Sequence, residues 1–215
     1  MLIAAIDNVV GSKARRFAER AGNINGLTRE SVFDEITQPT KQIAEIARAI
    51  CDLFNLATTD KKRRNLIRVV LATINENNEI TGLPIYYPED EPVRSTVDAL
   101  NDPSSAIRIA AKTRRIVIIT DIAKELKKAK GKRKFADTGN EQDNVGSLIC
   151  YPVLHNGTKR VPFVISIHCE DAGYFKEDFI DLYELTLQRF ALRLSLEYSL
   201  LTIKEKLSEP NSQQA

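Results

Sequence analysis

Apolar residues recur at helical spacing over residues 1 to 22, where Leu2, Ile6, Val9, Val10 and Phe17 fall on one side of a helix. The segment AGNING, with two glycines and two asparagines, ends it. A second helical run carries Phe33, Ile36, Ile43, Ile46, Ala47, Ile50 and Phe54. Pro39 lies inside that pattern, so it either begins the main helix, with Thr37 as its cap, or kinks a longer one. From Asn65 the apolar period changes. NLIRVVLATI and EITGLPIYY predict two strands joined by the turn residues NENN. PEDEPVRSTVDALNDP is acidic and holds three prolines, which predicts loop with one short helix. SSAIRIAAKTRR predicts a helix with Ser104 or Ser105 as N-cap and a basic last turn. IVIITD predicts a short strand of β-branched residues, and Asp121 at its end is placed to cap the helix that follows.

The polar stretch IAKELKKAKGKRKFADTGNEQDN is helical in its first half. NVGSLICYPVLHNG and VPFVISIHCED then predict a hairpin. A two-residue turn at Asn156-Gly157 would pair His155 with Thr158 and set Cys150 opposite Phe163. One face of the second strand carries Phe163, Ile165 and Ile167, the other Val164, Ser166 and His168. That strand packs on helices one way and faces something polar the other. Pro152 removes a ladder donor and belongs near a strand end or on an edge. A long helix follows, from about Lys176 to Leu207, and the tail SEPNSQQA has nothing to bury and is expected to be disordered. The order of elements is α+β: an antiparallel sheet with helices packed on it.

A formal charge of +2, from 31 basic and 29 acidic residues, argues against a dedicated nucleic-acid binder. No apolar run approaches the roughly 20 residues that cross a bilayer. The start does not read as a secretory signal, because its positive charges follow a short apolar stretch. Cys51, Cys150 and Cys169 form no C-x-x-C pair, and an odd, widely spaced set reads as reduced thiols of a cytoplasmic protein.

SSAIRIAAKTRRIVIITDI, GSLICYPVLHNGTKRVPFVISIHCED and FKEDFIDLYELTLQRFALRLSLEYSL together resemble a GAF domain. In that family a short helix leads into a strand ending in aspartate, here Asp121. A later strand of small-apolar-apolar-x-x-Pro character, here Gly146 to Pro152, pairs with the penultimate strand before a long closing helix. The resemblance spans roughly residues 60 to 200. It implies a central antiparallel sheet of about six strands, with long N- and C-terminal helices on one face and a small-molecule pocket, enclosed by loops and short helices, on the other. It also implies terminal helices that dimerise. The chain then divides into an N-terminal helical extension (1–58), a GAF-like domain closed by the long helix (59–207) and a tail (208–215). Pro162 stands where many members carry glycine. The motif of the cyclic-nucleotide-binding members, and the cysteine placements of the bilin-binding members and of the free methionine sulfoxide reductases, do not recur. No cofactor is assigned.

Candidate chemistry is sparse. AKGKRK lacks the flanking residues of a phosphate loop. In HCED, strand alternation sends His168 and Cys169 to opposite faces, so no metal site is assigned. No serine elbow, H-E-x-x-H motif or paired acid and base appears, so the reading is non-catalytic. KELKKAKGKRK, residues 124 to 134, carries seven basic residues and one acidic. Its simplest reading is a solvated surface loop. The resemblance would set it over the pocket mouth, where lysines attract an anion such as a nucleotide, or against an acidic membrane surface. Ligand-binding candidates are Tyr86, Arg108, Asp121, Ser147, Tyr151, Ser166 and His168. Each has an ordinary alternative as a packing, capping or surface residue.

The last helix carries two apolar stripes. Tyr183, Leu187, Phe190, Leu194, Tyr198 and Leu201 form one, enough to cover a sheet. Leu182, Leu185, Leu192, Leu196, Leu200 and Ile203 form a second that needs another surface, which predicts a parallel helical homodimer. The expected function is a non-catalytic regulatory module that binds a small molecule and signals through dimeric helices. The alternatives are a structural dimerisation module with an empty or filled pocket, the cytosolic part of a membrane-anchored signalling protein, with LIAAIDNVV followed by KARR at the end of an anchor, and last an enzyme of the sulfoxide-reductase type.

Overall fold

The computed structural model describes residues 2–21, 26, 28, 31–56, 67–91, 93–137, 139, 141, 144–155 and 157–208. The AGNING break, the boundary between residues 58 and 59, the tail, and Asn156 of the expected turn fall outside these, wholly or in part.

Helix α1 spans Leu2–Ala21 and helix α2 spans Pro39–Leu56. Pro39 begins α2 and does not kink a longer helix, as a residue without an N–H suits a first turn. Thr37 is not the cap. It lies in a π-helical segment, Val32–Thr37, and its hydroxyl donates back to the Phe33 carbonyl at 3.4 Å. Gln38, in the left-handed region at φ 40°, joins the two pieces, and its carbonyl accepts from Gln42 N–H at 2.9 Å.

Strands β1 (Ile67–Ile74) and β2 (Ile80–Tyr87) form the expected hairpin. Asn75 Oδ1 organises its turn by accepting from Asn77 and Glu79 N–H, both at 2.9 Å. Three short helices follow: α3 (Val97–Leu100), capped by Thr96; α4 (Ala106–Thr113), with Ser105 at its N-cap position; and, after strand β3 (Val117–Ile119), α5 (Ile122–Leu126). Strands β4 (Ser147–His155) and β5 (Arg160–Cys169) precede α6 (Ile180–Ser208).

Among the described residues the sheet has five antiparallel strands, not about six, in the order β2-β1-β5-β4-β3. The β4–β5 register differs from the two-residue turn. His155 pairs with Arg160, Val153 with Phe163, and Cys150 with Ser166. The connection is wider because Lys159 takes a left-handed conformation at φ 54° and donates to the His155 carbonyl at 2.8 Å. Pro152 pairs with Val164 on β5, while β3 reaches only to Cys150 on the other side. The missing N–H therefore lies where β4 has become an edge.

Each face of the sheet has its own core. Helices α1, α2 and α6 cover one, where Ile43, Ile46, Ile50, Val69, Leu71, Ile149, Ile165, Ile167, Leu187, Phe190 and Leu194 meet. On α6 the first stripe packs as expected: Leu187, Phe190 and Leu194 are fully buried, with Tyr183, Tyr198 and Leu201 at the margin. The opposite face carries α3, α4 and α5, packed over Ala72, Val117, Ile119, Leu148, Cys150 and Val164. The N-terminal helices thus share a core with the sheet. No helix among the described residues is long and apolar enough to cross a membrane.

Candidate functional site

Strand alternation decides which side chains reach the second face. On β5 these are Val164, Ser166 and His168, as the sequence pattern predicts, and Cys169 turns into the opposite core. Register then builds rows across the sheet. Arg68, His168 and Leu148 are neighbours, and one step along lie Tyr86, Val70, Ser166 and Cys150.

Apart from Cys150, these residues are the floor of a chamber of about 110 Å³, which Leu83 and Tyr87 also line. Its roof comes from Leu100 of α3, from Ser105, Ala106 and Ile107 at the start of α4, from the loop residues Glu91, Val93, Arg94 and Ser95, and from Phe135 and Ala136. Most of the wall is apolar. Ser166 is nearly buried and its hydroxyl accepts a weak S–H bond from Cys150 at 3.7 Å.

Charge gathers at Arg68. Its Nη2 lies 2.5 Å from Glu91 Oε2 and 3.0 Å from Glu170 Oε1. Arg94 Nη2 approaches the same two oxygens at 3.8 and 3.6 Å. The network fastens the loop before α3 to β1 and to the segment after β5.

Of the seven candidates, Tyr86, Ser166 and His168 line the chamber, and Arg108, Asp121, Ser147 and Tyr151 do not. Arg108 instead ties α4 to its surroundings, donating to the Asn101 carbonyl and approaching Glu79 at 3.8 Å. Asp121 caps α5 by accepting from Lys124 N–H at 3.0 Å, and that bond holds its carboxyl below the usual carboxylate range. Ser147 and Tyr151 occupy the odd positions of β4, which point to the terminal helices. Ser147 donates to the Asp171 carbonyl at 2.8 Å, and Tyr151 packs against the helix-side core. Sequence reasoning missed Arg68, the one charged residue of β1, and Glu91, Arg94 and Ser105. None of the basic residues 124 to 134 lines the chamber; it is reached by Phe135 and Ala136 just after them.

The three cysteines are buried and none is in a disulfide, and burial pushes the thiols of Cys51 and Cys150 up to about 12. Among the described residues no three His, Cys, Asp or Glu side chains are placed to hold a metal ion.

No family model matches the chain, and no curated protein matches it. Solved structures do. The GAF domain from Acinetobacter phosphoenolpyruvate-protein phosphotransferase superposes with a TM-score of 0.54 at 10% identity, covering 94% of each chain. A structure described simply as that of the GAF domain gives 0.52 at 13% identity, over 91% of this chain and 88% of that one. Free methionine-R-sulfoxide reductase from Neisseria meningitidis, solved in complex with its substrate, gives 0.52 at 17% identity, over 79% and 83%. Identities this low speak to architecture alone, and the architecture is the GAF-type fold.

Proposed function

We propose that the chain is a non-catalytic GAF-type sensor module: a small molecule occupies the chamber, and the terminal helices of a homodimer carry the signal. The observation that carries this reading is the largely apolar chamber, partly open to solvent, on one face of a sheet whose other face rests on α6. Ser166 and Val70 touch the ligand space. Their strand neighbours Ile165, Ile167 and Val69 share a core with Leu187, Phe190 and Leu194 of α6. One layer of sheet separates the two, so ligand and helix arrangement can bias each other by differential affinity.

Burial of all three cysteines supports a non-catalytic role, since the thiolate is the reactive form and burial pushes the thiols of Cys51 and Cys150 up to about 12. Cysteines outside any disulfide also support a reducing, cytoplasmic setting. In solution, Val70→Phe is expected to keep the fold and to abolish thermal shifts given by small molecules that stabilise the wild type. Equal shifts in both proteins would place the ligand elsewhere.

The second stripe of α6 supports the dimer. Leu182, Leu185, Leu192, Leu196 and Ile203 are 45 to 56% exposed, and Leu200 is half-buried beside them. Covering them against a second copy removes apolar area worth roughly 1.5–3 kcal/mol per fully buried leucine. Leu196→Asp places two charges in that seam and is expected to weaken dimerisation by about 100-fold. Sedimentation velocity reads the change. A wild type that is monomeric at micromolar concentration, or an unaffected variant assembly, contradicts the dimer.

A further inference from the structure

A dense run of positive charge lies outside the chamber, on the connection from α5 to β4. Residues 124 to 134 carry seven basic side chains and one acidic, a net +6. The whole chain carries +2, so the remainder is −4. The fold sharpens this separation. Glu125, the one acid, is 6% exposed and accepts from the Lys134 N–H at 2.8 Å and the Lys128 ammonium at 2.6 Å. Arg133 Nε donates to the Lys128 carbonyl at 2.7 Å. These bonds fold residues 128 to 134, with a 3₁₀ turn at Lys130–Lys132, back against α5. All six lysines stay exposed, with 80% of the Lys124 side chain and 51% of the Lys128 side chain in solvent. The acids around them are engaged nearby. Asp121 caps α5 and pairs with Lys124 at 3.0 Å, Asp102 accepts from Ser104, and Asp137 accepts from the Gly139 N–H. Lys127, Lys130, Lys132 and Lys134 make no ion pair among the described residues.

The chemistry of these cations selects the partner. Lysines are separate point charges on flexible stems, and the single arginine has its Nε committed to the backbone. No fork or cavity is therefore offered to one small anion, and none of the seven lines the chamber. Among the described residues no aromatic ring is exposed in or beside the segment to stack a base, since Phe135 is buried. Helix α5 is five residues long, too short to lie along a DNA groove. No large apolar side chain is exposed there to enter hydrocarbon. Several cations within one short turn match an extended layer of anionic headgroups.

We propose that residues 124–134 dock the protein on the surface of an anionic lipid bilayer, held by charge with no side chain inserted. Each lysine that reaches the headgroup layer raises the partition by about 5-fold. The attraction acts within a Debye length, about 8 Å at physiological salt, so it is graded and salt-dependent.

Co-sedimentation of the full chain with vesicles tests this. Phosphatidylcholine vesicles with about 30% phosphatidylserine are expected to bind it in about 50 mM salt. Pure phosphatidylcholine vesicles are expected not to, and about 300 mM salt to weaken binding at least about 10-fold. The triple variant Lys127→Gln/Lys130→Gln/Lys132→Gln removes three exposed side chains that make no hydrogen bond or ion pair among the described residues. It is expected to lose about 100-fold. Lys41→Gln/Lys176→Gln/Lys206→Gln removes the same charge from exposed lysines elsewhere and is expected to stay within about 2-fold of the wild type. Equal losses in the two variants, binding to pure phosphatidylcholine, or no binding at low salt overturns the proposal. So does a DNA duplex of about 20 base pairs that binds more tightly than the vesicles at the same salt, which assigns the patch to nucleic acid. Each of these outcomes leaves the sensor reading of the chamber untouched.

Discussion

Gly146→Ala is expected to destabilise the protein by about 3 kcal/mol or more, read as a shift of the urea midpoint without a change in slope. Gly146 sits at the entry to β4 with φ +92°, a conformation that L side chains rarely adopt. A Cβ built there would lie 2.0 Å from the Cys169 carbonyl oxygen and 2.9 Å from Glu170 Cα, both backbone atoms. Neither can move without parting the β4–β5 ladder at its Ser147–Cys169 end. The Gly146 carbonyl also accepts from Ile122 N–H at 2.9 Å, so the same shift would loosen α5. A loss below about 1 kcal/mol would mean that β4 enters the sheet differently.

Lys13→Met is the second large effect, expected near 3 kcal/mol at neutral pH. The Lys13 ammonium on α1 lies 2.6 and 2.7 Å from the two carboxylate oxygens of Glu197 on α6, whose side chain is 1% exposed. Burial, the larger influence, pushes the Glu197 carboxyl above its ordinary value, while Lys13, and more weakly Arg193 and Arg16, pull it down. Removing Lys13 leaves a buried carboxylate without its hydrogen-bonded partner. A carboxyl with a raised folded-state pKa favours the fold while protonated, and that contribution is lost as pH rises through the folded-state value. The loss in Lys13→Met is therefore largest near pH 7 and shrinks toward about pH 5 as Glu197 takes up a proton. Urea melts at the two pH values check it. The double variant Lys13→Met/Glu197→Leu, which removes both charges, is expected to recover most of the loss. An equal loss at both pH values would show that packing of the lysine stem, not the charge, holds α1 to α6.

Where one face of an element was clearly greasy and the other clearly not, the sequence was readable. The β5 pattern separated Phe163, Ile165 and Ile167 from Ser166 and His168 because the chamber face admits polar groups. Strand β4 has both faces covered, so Ile149 and Val153 on one side and Leu148 and Cys150 on the other look alike. Nothing in that run says which way Ser147 and Tyr151 point, and both turn out to face the helices. The two stripes of α6 were legible because each keeps its own helical spacing. The π-helical segment before Pro39 has no such signature. Arg68 left one, the single charge of β1, whereas Glu91 and Arg94 belong to a loop whose position is set only by the fold around it.

The claim that a small molecule occupies the chamber has a direct check: mass spectrometry of whatever is released when the purified wild-type protein and Val70→Phe are denatured. The expected result is one small compound, near one per chain from the wild type and missing from the variant. No compound from the wild type, or the same compound in equal amount from both, would contradict it.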